Sequence, residues 1–420
     1  MLPVVRALQE SKTLDPVVVS TGQHSDMVRE VLAFGGVEAD VDLEAATVGS
    51  LKDLVAVVMT RFESFLHERF GKDGRVRALD SDDVFDRGFP AGVLVHGDTS
   101  SATASALSAF HMRIPVGHVE ARLRTGSILT PFPEELNRQV ISRIAAFHLA
   151  PTPQNEDNLI REGVSIQKIF VTGNTGIDTL VLATRHEPEF TDERIARAVK
   201  GDRRMILVTA PRRENWGGGL ARIGDGIARI ARSNPDVDII VIAHPNPVAK
   251  AEITAPLAGL ENVILAGAQE YVEFAHLQAE AVFAISDSGG VQEGAPALGT
   301  PVLVTHDSTE RGEGVTAGTL RLVGTNPDTI ERAAEELLTD PQALAAMAFA
   351  ENPYGDGRAA GRIVAALEHL AGTAVAPVPF GSGFNRTAML QAGGYPGNTA
   401  VEAPESDRTQ AQPLIAKVPS

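Results

Sequence analysis

The chain has 420 residues, 43% of them hydrophobic and 22% charged, which is typical of a globular protein with room for two domains. Its formal net charge of −17 argues against a nucleic acid or an anionic membrane as the main partner. The sequence contains no cysteine, which excludes disulfides and thiolate metal ligands, and no apolar run of the about 20 residues that span a bilayer. Because the amino terminus also lacks the basic region and cleavage site of a signal peptide, we expect a cytoplasmic protein.

Strand and helix patterns alternate along the first part of the chain, which predicts an α/β domain with a parallel sheet. A valine-rich strand at residues 16–20 precedes a long helix, Leu51 to Phe70, in which apolar residues recur at helical spacing. Later strands are expected to end near Val95, near His118 and at Ala150.

A second series of strands and helices predicts another doubly wound domain of similar build. It begins with the apolar strand Met205 to Thr209 and includes strands that end near Ser286 and Thr305. The last stretch of the chain is rich in Pro, Gly, Ser and Thr and has few periodic apolar positions. The predicted division is a first domain over 1–187, a second over 188–355, a final helix over 356–372 and a disordered tail over 373–420.

Three carboxylates stand where predicted strands end or a helix begins. Asp98 follows the strand ending at Val95, Glu120 follows the next strand, and Glu134 opens a helix that carries Arg138. Singly, each has an ordinary explanation as an N-cap, a loop acid or an acid that offsets the helix dipole. Together they lie at the strand ends where open α/β sheets bind ligands. The set therefore predicts general acid–base chemistry on a sugar, with the identity of the acid and of the base left open.

The second domain carries a candidate phosphate-binding turn. Ser288, Gly289 and Gly290 follow an apolar strand and open a helix, so the backbone there can approach an anion. The alternative is an ordinary tight turn with a serine cap. The position of this turn in the second domain favours the phosphate site.

Other polar residues near strand ends are ambiguous. Arg212 fits either a phosphate or the surface, and His244 and the pair Gln23–His24 fit either a structural or a functional role. No histidine pair has clean metal-ligand spacing, so no metal is expected. No G-x-G-x-x-G motif follows an early strand, so NAD binding is unsupported.

In sequence order, these stretches resemble the non-hydrolysing UDP-N-acetylglucosamine (UDP-GlcNAc) 2-epimerases. The resemblance extends over nearly all of the chain before the predicted tail. The matching segments are HGDT at 96, GHVEA at 117, PFPEE at 131, Asn137-Arg138, VTGNTGID at 171, SDSGGVQE at 286 and NPYGDG at 352.

The resemblance implies two Rossmann-like domains in a glycosyltransferase-B arrangement, with a UDP-sugar between them and a final helix that crosses back to the first domain. It implies reversible epimerisation at C2 of UDP-GlcNAc to UDP-ManNAc, by elimination of UDP to a glycal and re-addition, with no redox cofactor or metal. The implied context is cell-envelope polysaccharide biosynthesis. The implied partners are UDP-GlcNAc, as substrate and as allosteric activator, and a second copy of the chain in a homodimer.

The resemblance assigns catalysis to Asp98, Glu120 and Glu134. The candidate substrate-binding residues are Arg138, Arg212, Phe274, Ser288, Gly289, Gly290 and Glu293. The residues that match the activator site are Gln23, His24, Arg61 and His244.

Several positions depart from the family pattern. Family chains begin with a strand and a G-T-R-P-E-like turn, and this sequence starts beyond them, so we expect the first domain to lack its first strand. Pro211 stands where the family has histidine, Gly294 where it has a second glutamate, and Arg122 where it has a small residue. Pro211, Gly294 and the absent first strand motivate the alternative of a weakly active or inactive UDP-sugar-binding protein. A glycosyltransferase on the same fold is a further hypothesis, and the set of three acids counts against it.

Overall fold

The computed structural model describes residues 1–23, 25–45, 49–71, 90–121, 128–129, 131–309 and 311–381, without the side chains of residues 25–27. The chain divides into two compact units. Residues 1–175 and 358–381 form the first unit, and residues 176–357 form the second. Within the described ranges, no helix is both long enough and apolar enough to cross a bilayer.

The first unit consists of short parallel strands covered by helices. Its strands are β1 (Val19–Ser20), β2 (Val41–Asp42), β3 (Val93–His96), β4 (Val116–Val119), β5 (Phe147–Ala150) and β6 (Ile169–Val171). Its helices before the second unit are α1 (Leu2–Gln9), α2 (Ser25–Phe34), α3 (Leu51–Phe70), α4 (Ser100–His111), α5 (Glu134–Ile144) and α6 (Pro153–Arg161).

The sheet of the first unit is in two parts. Strands β3, β4, β5 and β6 form a four-stranded parallel sheet in that order, whereas β1 and β2 form a separate two-stranded parallel sheet. Val19, Val41 and Val95, from β1, β2 and β3, belong to one apolar cluster with Phe62 of α3 and Ala106 of α4. No strand in the described residues hydrogen-bonds to both β1 and β3. Among the described residues the two sheets are therefore separate.

Local sequence explains how α4 is placed behind β3. The Thr99 hydroxyl accepts a hydrogen bond from the Ala102 N–H at 3.1 Å and so caps the start of the helix. Fully buried small residues, Ala104, Ala106 and Ala109, follow on α4 and leave room for close packing. The turn that contains Asp98 is therefore held between β3 and a capped helix with a buried face.

The second unit is a doubly wound domain around a six-stranded parallel sheet of order β12-β11-β10-β7-β8-β9. Every residue of β7 is buried, as expected for a central parallel strand. The strands are β7 (Met205–Thr209), β8 (Asp238–Ile242), β9 (Val263–Ala266), β10 (Phe283–Ser286), β11 (Val302–Val304) and β12 (Leu320–Leu322). The helices are α7 (Thr175–Ala183), α8 (Glu193–Lys200), α9 (Gly219–Ser233), α10 (Pro247–Thr254), α11 (Tyr271–Glu280), α12 (Gly289–Gly294), α13 (Gly312–Ala317), α14 (Pro327–Thr339) and α15 (Pro341–Ala348).

The division between the units falls at residues 175/176, earlier than the predicted boundary at 187/188. The reason is that α7 packs within the second unit, where Ile177 joins Ala297 and Tyr354 in a buried cluster. The last helix, α16 (Ala359–Leu370), belongs to the first unit and packs there with α1.

Residues 373–381 form neither helix nor strand, yet they are attached to the first unit. The Phe380 N–H donates to the Val171 carbonyl at 2.9 Å, and Phe380 is only 5% exposed. The Arg362 guanidinium lies 5.5 Å from the centre of the Phe380 ring. The disorder predicted from residue 373 is therefore wrong for this segment, because one aromatic residue anchors it. The rest of the predicted tail, 382–420, lies outside the described residues.

We predict that Phe380→Ala lowers the free energy of unfolding of the first unit by about 3 kcal/mol, because it removes a buried aromatic ring. Chemical denaturation followed by circular dichroism would measure this loss. The matched control is Val378→Ala, in the same segment but 82% exposed, which should change stability by less than about 0.5 kcal/mol. Equal effects of the two variants would contradict an anchoring role for Phe380.

Candidate functional site

The candidate acids of the first unit lie at the ends of two neighbouring strands. β3 pairs with β4 in parallel, with His96 opposite Val119. Asp98 follows β3 after one intervening residue, and Glu120 follows β4 directly. Because parallel strands end at the same edge of a sheet, the two carboxylates come to one edge.

An ion pair connects Asp98 to the first turns of α5. The Arg138 guanidinium donates from Nε and approaches with Nη2 one carboxylate oxygen of Asp98, at 2.7 and 2.6 Å. The Asn137 side chain donates to the Asp98 carbonyl at 2.9 Å. Glu134 lies one helical turn before Arg138 and therefore on the same face of α5. The structure thus brings Asp98 and Glu120 to one edge with Arg138 bound to Asp98, and Glu134 begins the helix that carries Arg138.

Glu135 is a member of this region that the sequence did not single out. Its side chain is fully buried and lies 3.3 Å from Arg138 Nη1, and its other oxygen accepts from Gln139 at 3.0 Å. A buried carboxylate needs such partners. Arg138 therefore lies between two carboxylates, Asp98 and Glu135, which fix its position. The sequence contains Glu134 and Glu135 side by side, and only the helix geometry separates the buried one from its half-buried neighbour.

Glu120 is held in an uncommon backbone conformation, with φ of +60°. Its Oε2 atom lies 3.3 Å from His96 Nε2. Gly97, with φ of +68°, also lies beneath the carboxylate, because a β-carbon at this position would be 3.3 Å from Glu120 Oε2. The non-glycine residue in the left-handed region indicates a backbone that its surroundings constrain, as is frequent at functional sites. Burial holds the pKa of His96 well below its usual value.

The candidate phosphate-binding turn of the second unit lies where the strand order reverses, between β7 and β10. Such a switch point is the usual ligand site of a doubly wound sheet. Asp287, which follows β10 directly, accepts a hydrogen bond from the Arg212 N–H at 3.3 Å and one from the Asn215 side chain at 2.7 Å. Burial raises the pKa of Asp287. This carboxylate therefore joins the loop after β7 to the turn formed by Ser288, Gly289 and Gly290.

Gly289 lies against the side chain of Arg311. A β-carbon at position 289 would be 2.5 Å from Arg311 Nη2. Arg311 in turn donates from Nε to Glu293 at 2.8 Å. Glu293, predicted to bind substrate, thus forms an ion pair with Arg311. Phe274, predicted to contact the uracil, is half-buried on α11 and packs on the apolar core of the second unit.

The predicted activator residues are engaged within the unit to which each belongs. In the first unit, the Gln23 side chain accepts from the Ser101 hydroxyl at 2.5 Å, and Arg61 donates to the carbonyls of residues 43 and 44 at 2.6 and 3.0 Å. In the second unit, His244 Nδ1 accepts the Asn246 N–H at 3.0 Å. His24 lies outside the described residues. Their assignment to an activator site stays a prediction.

Comparison with known proteins gives a consistent result. The sequence profile of a family described as UDP-N-acetylglucosamine 2-epimerase matches residues 78–368. A protein of Ralstonia nicotianae named as a probable UDP-N-acetylglucosamine 2-epimerase is 42% identical over 367 residues, which cover 86% of this chain and 92% of the relative. The UDP-N-acetylglucosamine 2-epimerase of Escherichia coli K12 is 40% identical over 366 residues, with the same coverage of 86% and 92%. The crystal structure of UDP-GlcNAc 2-epimerase from Neisseria meningitidis bound to UDP-GlcNAc has a TM-score of 0.74 and 36% identity, over 88% of this chain and 96% of that one.

This chain belongs to the UDP-N-acetylglucosamine 2-epimerase family. The structure shows the surroundings of two positions at which this sequence departs from the family pattern. Pro211 lies exposed in the loop after β7. At Gly294 a β-carbon would be 2.9 Å from Leu180 Cδ2, so an apolar side chain takes the space beside this position. Arg122 lies outside the described residues.

In this family member we predict that Gly289→Ala lowers the melting temperature, because the added methyl group overlaps the Arg311 guanidinium and disturbs its ion pair with Glu293. Overpacking of this kind costs about 1–3 kcal/mol. Gly290→Ala is the matched control, since a β-carbon at 290 meets only the Ser288 hydroxyl, at 4.0 Å. Differential scanning calorimetry of both variants measures the effect, and a Gly290→Ala loss as large as that of Gly289→Ala would contradict the explanation.

Proposed function

We propose that this chain is a UDP-GlcNAc 2-epimerase that interconverts UDP-GlcNAc and UDP-ManNAc. The proposal is supported by Asp98 and Glu120 at one strand edge of the first unit, by the ion pair from Asp98 to Arg138 of the helix that begins at Glu134, and by about 40% identity to named epimerases. The Neisseria meningitidis relative was solved with UDP-GlcNAc bound, which supports the same substrate here.

Proton transfer by carboxylates accounts for the proposed reaction. One carboxylate removes the proton at C2 while the bond from C1 to the UDP oxygen breaks, which leaves a glycal and free UDP. A proton is then delivered to the opposite face of C2 as UDP adds back to C1. The net change is inversion at C2 with no oxidation or reduction. We assign these transfers to Asp98, Glu120 and Glu134, without dividing them into acid and base.

The second unit is proposed to bind the uridine diphosphate. Ser288, Gly289 and Gly290 would present backbone N–H groups to the phosphates at the switch point of the sheet. Arg212, whose backbone Asp287 holds in place, would supply positive charge, and Phe274 would contact the uracil ring. Glu293 would act through Arg311, to which it is bound.

We also propose that the chain is a homodimer, that it acts in the cytoplasm and that UDP-GlcNAc binds a second time as an activator. The activator would have to displace the protein contacts that now occupy Gln23 and Arg61. The alternative of an inactive UDP-sugar-binding protein rests on Pro211 and Gly294. It is less favoured, because the three acids are retained and Asp98 and Glu120 are held by specific contacts.

The first test is to incubate the purified protein with UDP-GlcNAc in heavy water. We expect deuterium at C2 and formation of the ManNAc epimer, both measured by proton NMR. Tight UDP binding without exchange would support the inactive binding protein instead. Transfer of the sugar to an acceptor with C2 untouched would support a glycosyltransferase.

The second test is substitution of the acids. Asp98→Asn and Glu120→Gln should each lower kcat by about 10²–10⁴-fold, the usual contribution of a positioned acid or base. Asp157→Asn, an exposed acid on α6 of the same unit, is the control and should retain full activity. Wild-type rates in either Asp98→Asn or Glu120→Gln would contradict the assignment of that residue.

A further inference from the structure

His96 is a titratable residue at the carboxyl end of β3 in the first unit. The proposed chemistry gives this residue no role. It is the last residue of β3, immediately before the turn that carries Asp98. Its Nε2 atom lies 3.3 Å from Glu120 Oε2 and 3.3 Å from the Thr175 hydroxyl oxygen. A single ring nitrogen thus faces a candidate catalytic carboxylate and a hydroxyl at the same distance.

The tautomer of His96 determines which of these oxygens it can serve. A neutral imidazole carries one N–H and one lone pair, so Nε2 either donates or accepts. With the proton on Nε2, the ring donates to the Glu120 carboxylate. With the proton on Nδ1, the Nε2 lone pair instead accepts from the Thr175 hydroxyl or from a protonated Glu120. The hydrogen bond at Nε2 is therefore coupled to the protonation of Glu120.

The surroundings of His96 oppose a positive charge on the ring. Burial is the largest cause that lowers the pKa of His96, and the α-amino group of Met1 and the imidazole of His118 act in the same direction. Glu120 is the acid that faces the ring. A neutral ring can orient the carboxylate without pairing with it as a fixed cation, so Glu120 keeps its capacity to accept a proton.

The backbone near Glu120 restricts where its carboxylate can lie. Glu120 has φ of +60°, and its Oε2 lies over Gly97, where a β-carbon would come within 3.3 Å. The carboxylate is thus placed between the bare backbone of Gly97 and the His96 ring. Replacement of the ring would remove the contact between its Nε2 atom and Glu120 Oε2.

We propose that His96 is a positioning residue that orients the Glu120 carboxylate for proton transfer at C2, and that the Thr175 hydroxyl helps to select its tautomer. This inference rests on the proposed function, since it gives His96 a task within that reaction. It differs from a purely structural role because it predicts coupling between the protonation of Glu120 and the state of the His96 ring.

The kinetic test compares His96→Phe, His96→Gln and the unaltered protein. His96→Phe fills similar space without a donor, so kcat should fall about 10- to 100-fold, as expected when one catalytic group is misplaced. KM should change little. The acid limb of the pH profile should move to higher pH, because a lost donor makes the carboxylate harder to keep ionised. His96→Gln, whose amide can donate but does not titrate, should restore most of kcat. Exposed His111, at the end of α4, provides the control His111→Gln.

A second measurement follows the ring itself. Nitrogen-15 NMR of labelled protein distinguishes the two tautomers, and we expect the Nε2–H form in the unaltered protein. Glu120→Leu removes the carboxylate and should shift His96 toward the Nδ1–H form, in which the Thr175 hydroxyl is the donor. Thermal unfolding followed by circular dichroism shows whether each variant is folded.

The outcomes separate the two proposals. A normal kcat and an unmoved acid limb in His96→Phe would overturn the positioning role while the epimerase activity stands. An unchanged tautomer in Glu120→Leu would also overturn it. Absence of deuterium incorporation by the unaltered protein would overturn the proposed reaction, and with it any role of His96 in that reaction.

Discussion

The parallel pairing of β3 with β4 is the constraint on which the first unit's site depends. With His96 opposite Val119, the chain leaves both strands at the same edge, so Asp98 and Glu120 come together although they are far apart in sequence. No side-chain contact has to bring them there, because the ladder hydrogen bonds do so. The later contacts then fix orientation. Arg138 holds the Asp98 carboxylate, and His96 lies against that of Glu120.

In the second unit, parallel strands also bring two loops to one edge of a sheet, but the acid found there has a structural role. Parallel β7 and β10 end side by side at the reversal of strand order, and the buried Asp287 carboxylate joins the loops that follow them. Here the acid is a structural connector, with its hydrogen bonds directed to a backbone N–H and an amide. In the first unit, by contrast, Glu120 is half-buried beside a titratable ring. The burial and partners of an acid, rather than its type, distinguish the two roles.

Much of this arrangement could be predicted from the sequence. The apolar periodicity gave α3 and β7 with their observed bounds, and the positions of Asp98, Glu120 and Glu134 at element ends are confirmed. The failures have physical causes. β2 and β12 are too short for a hydrophobic pattern to show, and one buried aromatic, Phe380, orders a segment whose composition is typical of disorder. The roles of Glu135 and His96 depend on distances between elements, which no local pattern contains.

The positions that depart from the family pattern can be located in the two units. Pro211 cannot offer a side-chain hydrogen bond, and Leu180 takes the space beside Gly294. Both positions belong to the second unit, whereas the acids and their contacts belong to the first. These two changes therefore fall in the unit proposed to bind the nucleotide, whereas the third, Arg122, follows Glu120 by two residues in the sequence. For Pro211 and Gly294, altered affinity for the nucleotide is therefore the direct expectation.

The interruption between β1 and β3 has a mechanical consequence. Across that line, side-chain packing against α3 and α4 holds the two pieces of sheet, with no ladder hydrogen bond between these two strands. Apolar contacts tolerate small sliding displacements that a hydrogen-bonded ladder resists, so the pair β1–β2 can shear as one piece while β3–β6 stays intact. Asp98 and Glu120 both follow strands of the β3–β6 sheet, so such a displacement would leave the pairing between their strands unchanged.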